Sequence, residues 1–115
     1  DLSWKDDIYH FNGKEGVEQY KDRITAQLSY VTEEAKKRGK IAAFTETGLE
    51  GLEMSDWYTN VLLPSIGVLD IAYVCVWRNA RNEDKAGHFY VPYPGHPAEA
   101  DFKAFHDKSN AIFVK

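Results

Sequence analysis

From Glu15 to Lys37 the apolar residues Val17, Tyr20, Ile24, Leu28, Val31 and Ala35 recur every three or four positions. That spacing predicts an amphipathic helix with one stripe on a core. Lys21, Asp22, Arg23, Glu33, Glu34, Lys36 and Lys37 fall mostly on the other side and read as a solvated face. The helix is acidic at its start and basic at its end, as its dipole prefers, and Gly39 supplies a stop. The pattern then changes. Ile41 to Thr45 is apolar or β-branched throughout, without alternation, which predicts a parallel strand over Lys40–Glu46 covered on both faces. A loop through Gly48 and Gly51 follows. Ser55-Asp56 is placed to cap a second helix carrying Trp57, Val61, Leu62 and Ile66, with Pro64 cutting into its final turn and Gly67 ending it. Leu69–Trp77, apolar except for Asp70, predicts a second buried strand.

Ahead of the first helix, Ile8-Tyr9-His10-Phe11 is a short β-favouring run closed by the turn signal Asn12-Gly13. The order is therefore strand, helix, strand, helix, strand, the βαβ pattern of a parallel sheet with right-handed crossovers. Beyond Trp77 the stretch 79–95 is first polar, then aromatic and rich in Pro and Gly. Loops of that length in a compact domain tend to carry function. Pro97 fits the first position of a last helix through Asp107, with Phe102 and Phe105 as its packing face.

At 115 residues the chain has the size of one small domain. Its net charge of −4 provides no basic field for nucleic acid or an anionic membrane. No apolar run approaches the roughly 20 residues of a membrane helix, and the charged opening Asp1-Leu2-Ser3-Trp4-Lys5 is no signal peptide. The single Cys75 excludes an intrachain disulfide framework. Inside an apolar run it is expected to be a buried, inert thiol. Aromatic residues reach 14%, which suits both cores and sugar-binding clefts; composition does not choose between them.

Glu46 stands at the C-terminal mouth of a predicted buried strand, where α/β barrels and open α/β sheets place catalytic groups. The alternative is a strand that merely ends in solvent. Glu50, Glu53 and Glu83 fall in loops or at helix starts and read as solvated charges. His10, His88, His96 and His106 show no metal-ligand spacing, so neither a metal nor a cofactor is called for. His88 and His96 bracket the aromatic loop, as structural or subsite contacts. No G-x-S-x-G, G-x-G-x-x-G or P-loop pattern occurs.

Four short stretches, taken in order, carry a resemblance. They are Phe44-Thr45-Glu46-Thr47-Gly48, Leu62-Leu63-Pro64, Tyr73-Val74-Cys75-Val76-Trp77-Arg78-Asn79-Ala80, and Gly87-His88-Phe89-Tyr90-Val91-Pro92-Tyr93-Pro94-Gly95. From about Asp7 onward the chain resembles glycoside hydrolase family 26, above all its bacterial endo-β-mannanases. The resemblance implies an α/β fold: the C-terminal portion of a (β/α)8 TIM barrel, about strands six to eight with their helices. Residues 1–115 would then be a partial catalytic domain. It implies retaining hydrolysis of β-1,4-mannan, with Glu46 as the nucleophile ending strand seven. By the same resemblance Tyr9, ending strand six, hydrogen-bonds the nucleophile. Trp77 floors the sugar at the cleaved position, and Arg78 lines the neighbouring glycone subsite. Members of the family also cleave β-glucan and xylan.

The family's acid/base glutamate, preceded by a histidine, ends strand four, and no residue of this chain matches it. The expectation is a chain inactive by itself, completed by the missing part of its own barrel. A full barrel takes roughly 250 residues. Its partner would be a β-mannan polysaccharide or oligosaccharide, in a secreted, cell-surface or periplasmic setting. A non-catalytic carbohydrate-binding or scaffold role, using Tyr90, Tyr93, Trp57 and Trp77 as a platform, is the competing reading. Trp57, on its helix, is more often core than ligand.

Overall fold

The stripe of the first helix does what its spacing requires. The computed structural model describes residues 13–80, 88–108 and 113. Within it α1 (Gly13–Lys37) buries Val17, Tyr20, Ile24 and Leu28 along one side. Burial of each such side chain is worth about 1.5–3 kcal/mol. Val31, the next on the stripe, is exposed. Gly39, with φ 61°, turns the chain out of the helix. The run Ile8–Phe11, with Tyr9 and His10, lies outside the described residues, as does Glu83.

Strands β1 (Ala42–Thr47) and β2 (Ile71–Val76) pair in parallel, as the βαβ order requires. Partners are Ala42 with Ile71, Phe44 with Val74 and Thr47 with Val76. Between the first two pairs β2 spends one residue more than β1; between the last two, β1 spends one more than β2. The irregularities compensate, and each leaves two neighbouring residues exposed together: Ala72 and Tyr73 on β2, Thr45 and Glu46 on β1. Ala42, Phe44 and Thr47 of β1 are buried. The expected cover on both faces is not found among the described residues: Ile41, Thr45 and Glu46, and on β2 Ala72, Tyr73 and Cys75, are exposed. Cys75 is accordingly an exposed thiol rather than a buried one. A strand pattern written for burial on two faces has met helices on one.

The crossover between the strands is a π turn (Tyr58–Leu62) running into a short helix, α2 (Leu63–Ile66). Leu63 N–H donates to Tyr58 O, five residues back. That widening lies just ahead of Pro64, which has no N–H to give. The proline therefore lets the helix continue to Ile66, where Gly67, with φ 53°, ends it. Trp57, Tyr58, Val61 and Leu62 are almost fully buried, so Trp57 is core.

Neither Ser55 nor Asp56 caps this segment. Its cap comes from the last helix, α3 (Glu99–Lys108), which starts two residues after Pro97. Asp101 accepts N–H bonds from Tyr58 (2.9 Å) and Thr59 (3.3 Å) and a third bond from the Thr59 hydroxyl. Burial first, and then the Asp101 carboxylate, push the Tyr58 phenol above the ordinary tyrosine range. The Tyr58 ring meets Trp57 and Phe102 edge-on at 4.9 Å, and Phe105 is buried beside it. Asp101→Ala in the full-length protein is expected to lower stability by about 1–3 kcal/mol, since it orphans two backbone donors and a hydroxyl. Denaturant midpoints check this, and an unchanged midpoint would show that the cap carries nothing.

Glu99 opens α3 by accepting from Lys103 Nζ and from Gly95 N–H, each at 2.7 Å. These bonds hold its carboxyl below the usual glutamate value. They also tie the end of the Pro-rich loop to the helix.

Candidate active site

The C-terminal ends of β1 and β2 lie side by side. Trp77 N–H donates to Thr47 O at 2.8 Å, at the last strand pair, Thr47 with Val76. Glu46 therefore sits one residue before the Thr47–Val76 pair and Trp77 one residue after it, on neighbouring strands. Both side chains are exposed, Trp77 to 38%. Arg78 is exposed as well and continues the chain away from β2. Tyr9, the fourth predicted site residue, lies outside the described residues.

The irregular step between Phe44 and Thr47 determines how Glu46 is presented. Regular alternation would give Glu46 the same face as buried Phe44. The extra residue in β1 breaks that alternation and leaves Thr45 and Glu46 both exposed. Such bulges recur beside active sites because they re-aim one side chain without ending the strand. Nothing in the run Ile41–Thr47 signals where the extra residue falls. Glu46 also lines a cleft of about 270 Å³ shared by Ala43, Phe44 and Thr45 of β1 with Ile24, Gln27, Leu28 and Val31 of α1. A larger hollow of about 490 Å³ lies between Pro92, Pro94 and α3, and it contains none of the predicted site residues.

The turn leaving β1 is closely packed. Gly48 has φ 151°, and a Cβ placed there would lie 2.6 Å from Cδ1 of the buried Tyr90 ring. Here the ring occupies the space a side chain would need, and only glycine tolerates that approach. A 3₁₀ turn (Glu50–Leu52) follows, and Gly51 N–H donates to Phe89 O at 2.8 Å. Glu50 is not the solvated charge expected of it. Its side chain is 14% exposed and its Oε1 lies 2.5 Å from His88 Nδ1. His96, the other histidine of the loop, accepts from Ala98 N–H at 3.0 Å and packs against Phe89 and Tyr93.

Asn79 lies within one of the stretches that carry the resemblance, with no role of its own assigned there. Its Oδ1 accepts from Tyr90 N–H (2.8 Å) and Val91 N–H (3.0 Å), and its Nδ2 donates to Val91 O at 3.0 Å. An asparagine just past a strand is a recognisable anchor for nearby backbone. Partners eleven and twelve residues on cannot be read from it. Among the described residues no three His, Cys, Asp or Glu side chains form a group that could hold a metal ion, and no helix is long and apolar enough to cross a membrane.

No family model and no curated protein matches the chain. Among solved structures, a GH26 beta-mannanase from Bacteroides ovatus superposes with a TM-score of 0.76 at 41% sequence identity. The chain resembles a GH26 beta-mannanase. The match covers 91% of this chain and 29% of the mannanase's own. Helices and a parallel strand pair that match under a third of a TIM-barrel mannanase make a partial α/β fold.

Proposed function

We propose that residues 1–115 form the C-terminal part of the catalytic barrel of a retaining glycoside hydrolase that cleaves β-1,4-mannosidic bonds. Glu46 is its nucleophile, and Tyr9, Trp77 and Arg78 bind substrate. The observation that carries this reading is the likeness, at 41% identity, to a beta-mannanase. The parallel pairing of β1 and β2, which brings exposed Glu46 and exposed Trp77 to the same end of two neighbouring strands, supports it.

In this reading the Glu46 carboxylate attacks the anomeric carbon as the glycosidic C–O bond breaks. A second carboxyl, supplied by the rest of the barrel, protonates the leaving oxygen. Water then cleaves the glycosyl ester, and two inversions restore the β configuration. The two carboxyl groups of such a pair stand about 5–5.5 Å apart. The Trp77 face packs on sugar C–H groups and leaves the hydroxyls to polar neighbours such as Arg78. A polysaccharide is too large to enter a cell intact, so the working place is outside the cytoplasm: secreted, at the cell surface or periplasmic.

The test is product analysis of the full-length protein on β-1,4-mannan, β-glucan and xylan, with NMR of the first-released sugar. Mannan is expected to be cleaved, and the β anomer to appear first. An α anomer appearing first would overturn the two-step mechanism. Cleavage of glucan or xylan alone would overturn the substrate. Tight binding without any product would establish the binding module instead.

A further inference from the structure

We propose that Asn79 is a positioning residue for Glu46, acting through the loop 88–91; the inference rests on Glu46 being the nucleophile. Asn79 grips this loop with three hydrogen bonds, two accepted at Oδ1 and one donated from Nδ2. A fourth bond, Ala80 N–H to His88 O at 2.8 Å, lies beside them. The gripped loop is in turn fastened to the residues that follow Glu46. His88 meets Glu50 at 2.5 Å, Phe89 O accepts from Gly51 N–H, and the Tyr90 ring fills the space over Gly48. All three attachments fall on residues 48–51, two to five positions beyond Glu46. On the same loop, Tyr90 O accepts from the Tyr58 hydroxyl, which anchors it to the core.

The exit of β1 is thus held from both sides. The rung from Trp77 to Thr47 ties it to β2, and the Asn79 loop ties the turn beyond it to the same end of β2. Only a carboxamide can accept two N–H bonds and donate one from this position. Aspartate keeps both accepted bonds and sets a negative charge against Val91 O; alanine keeps none. Displacing a reacting group by about 1 Å can cost about 10²-fold in rate.

In the full-length protein, assayed well below its melting temperature, Asn79→Ala is expected to lower kcat by about 10- to 100-fold with KM changed less than about threefold. Asn79→Asp should recover part of that loss. Val17→Ala, which opens a cavity under α1 and removes none of the loop's hydrogen bonds, serves as the control: an equal or larger drop in melting temperature should leave kcat within about twofold. An Asn79→Ala enzyme with full kcat, or one whose kcat falls only with its folded fraction, overturns the proposal. Should that variant not fold, Asn79→Asp and Asn79→Ser are read by the same split, and full kcat in both overturns it. A Glu46→Gln enzyme that stays active overturns the nucleophile assignment together with this one. If Glu46→Gln is silent while the Asn79 variants run at full speed, only the positioning role falls.

Discussion

Glu46→Gln in the full-length protein is expected to lower kcat on β-1,4-mannan by on the order of 10⁴-fold or more, in line with the loss of a covalent nucleophile elsewhere. Substrate affinity should stay within severalfold. The substitution keeps the side chain's volume and one oxygen. It removes the negative charge that, in the proposed mechanism, forms the bond to the anomeric carbon. Because Glu46 is exposed at the strand end rather than buried in the core, the change should leave the fold intact, and the loss is readable as chemistry. Glu46→Ala with an activated β-mannoside and azide sharpens the test. Azide can enter where the carboxylate stood, and a single displacement then yields the α-mannosyl azide. Equal losses of turnover and binding in Glu46→Gln would favour the non-catalytic reading, as would azide without effect.

The isolated 115-residue chain is expected to release no sugar from mannan above a protein-free blank. General acid catalysis alone contributes about 10²–10⁴-fold, and in the proposed mechanism the acid comes from the rest of the barrel. The described residues give this expectation a second cause. β1 and β2 form a two-stranded sheet, and an isolated strand pair is marginal in water. Ile41 at 80% and Tyr73 at 54% exposure add apolar surface that a neighbour would cover. The chain alone should therefore associate or melt without cooperativity. Turnover comparable to the full-length protein, measured by reducing-sugar release from the purified chain, would refute the argument; so would a monomeric, cooperative melt for its second half.

How much of this could be read from the residues depends on the range of the interaction involved. Val17, Tyr20, Ile24 and Leu28 announce α1 because a helix is decided by neighbours three and four apart, and the strands at Ala42 and Ile71 announce themselves by their β-branched and aromatic runs. Gly39 and Gly67 end helices where a positive φ is needed. Glu46 and Trp77 were found at strand ends because strand ends are visible in a run of apolar residues. What escaped is everything that depends on a distant partner. Ser55-Asp56 looked like a cap by local rule, yet Asp101 supplies it from more than forty residues away. Glu50 looked solvated until His88 stood beside it. Cys75 looked buried because its run was apolar, and a run does not say on how many faces it will be covered. The bulge that presents Glu46 is a matter of register between two strands, and a single strand carries no record of its partner's register.

The ring over Gly48 has a consequence for anyone recombining this segment with others. Tyr90 fills the volume that any side chain at position 48 would occupy, 2.6 Å from the first atom beyond the backbone. A crossover placed between the two positions can therefore import a bulkier residue opposite an unchanged aromatic and jam the assembly. Chimeras and shuffled libraries have to inherit the pair as one unit, with breakpoints outside 48–90.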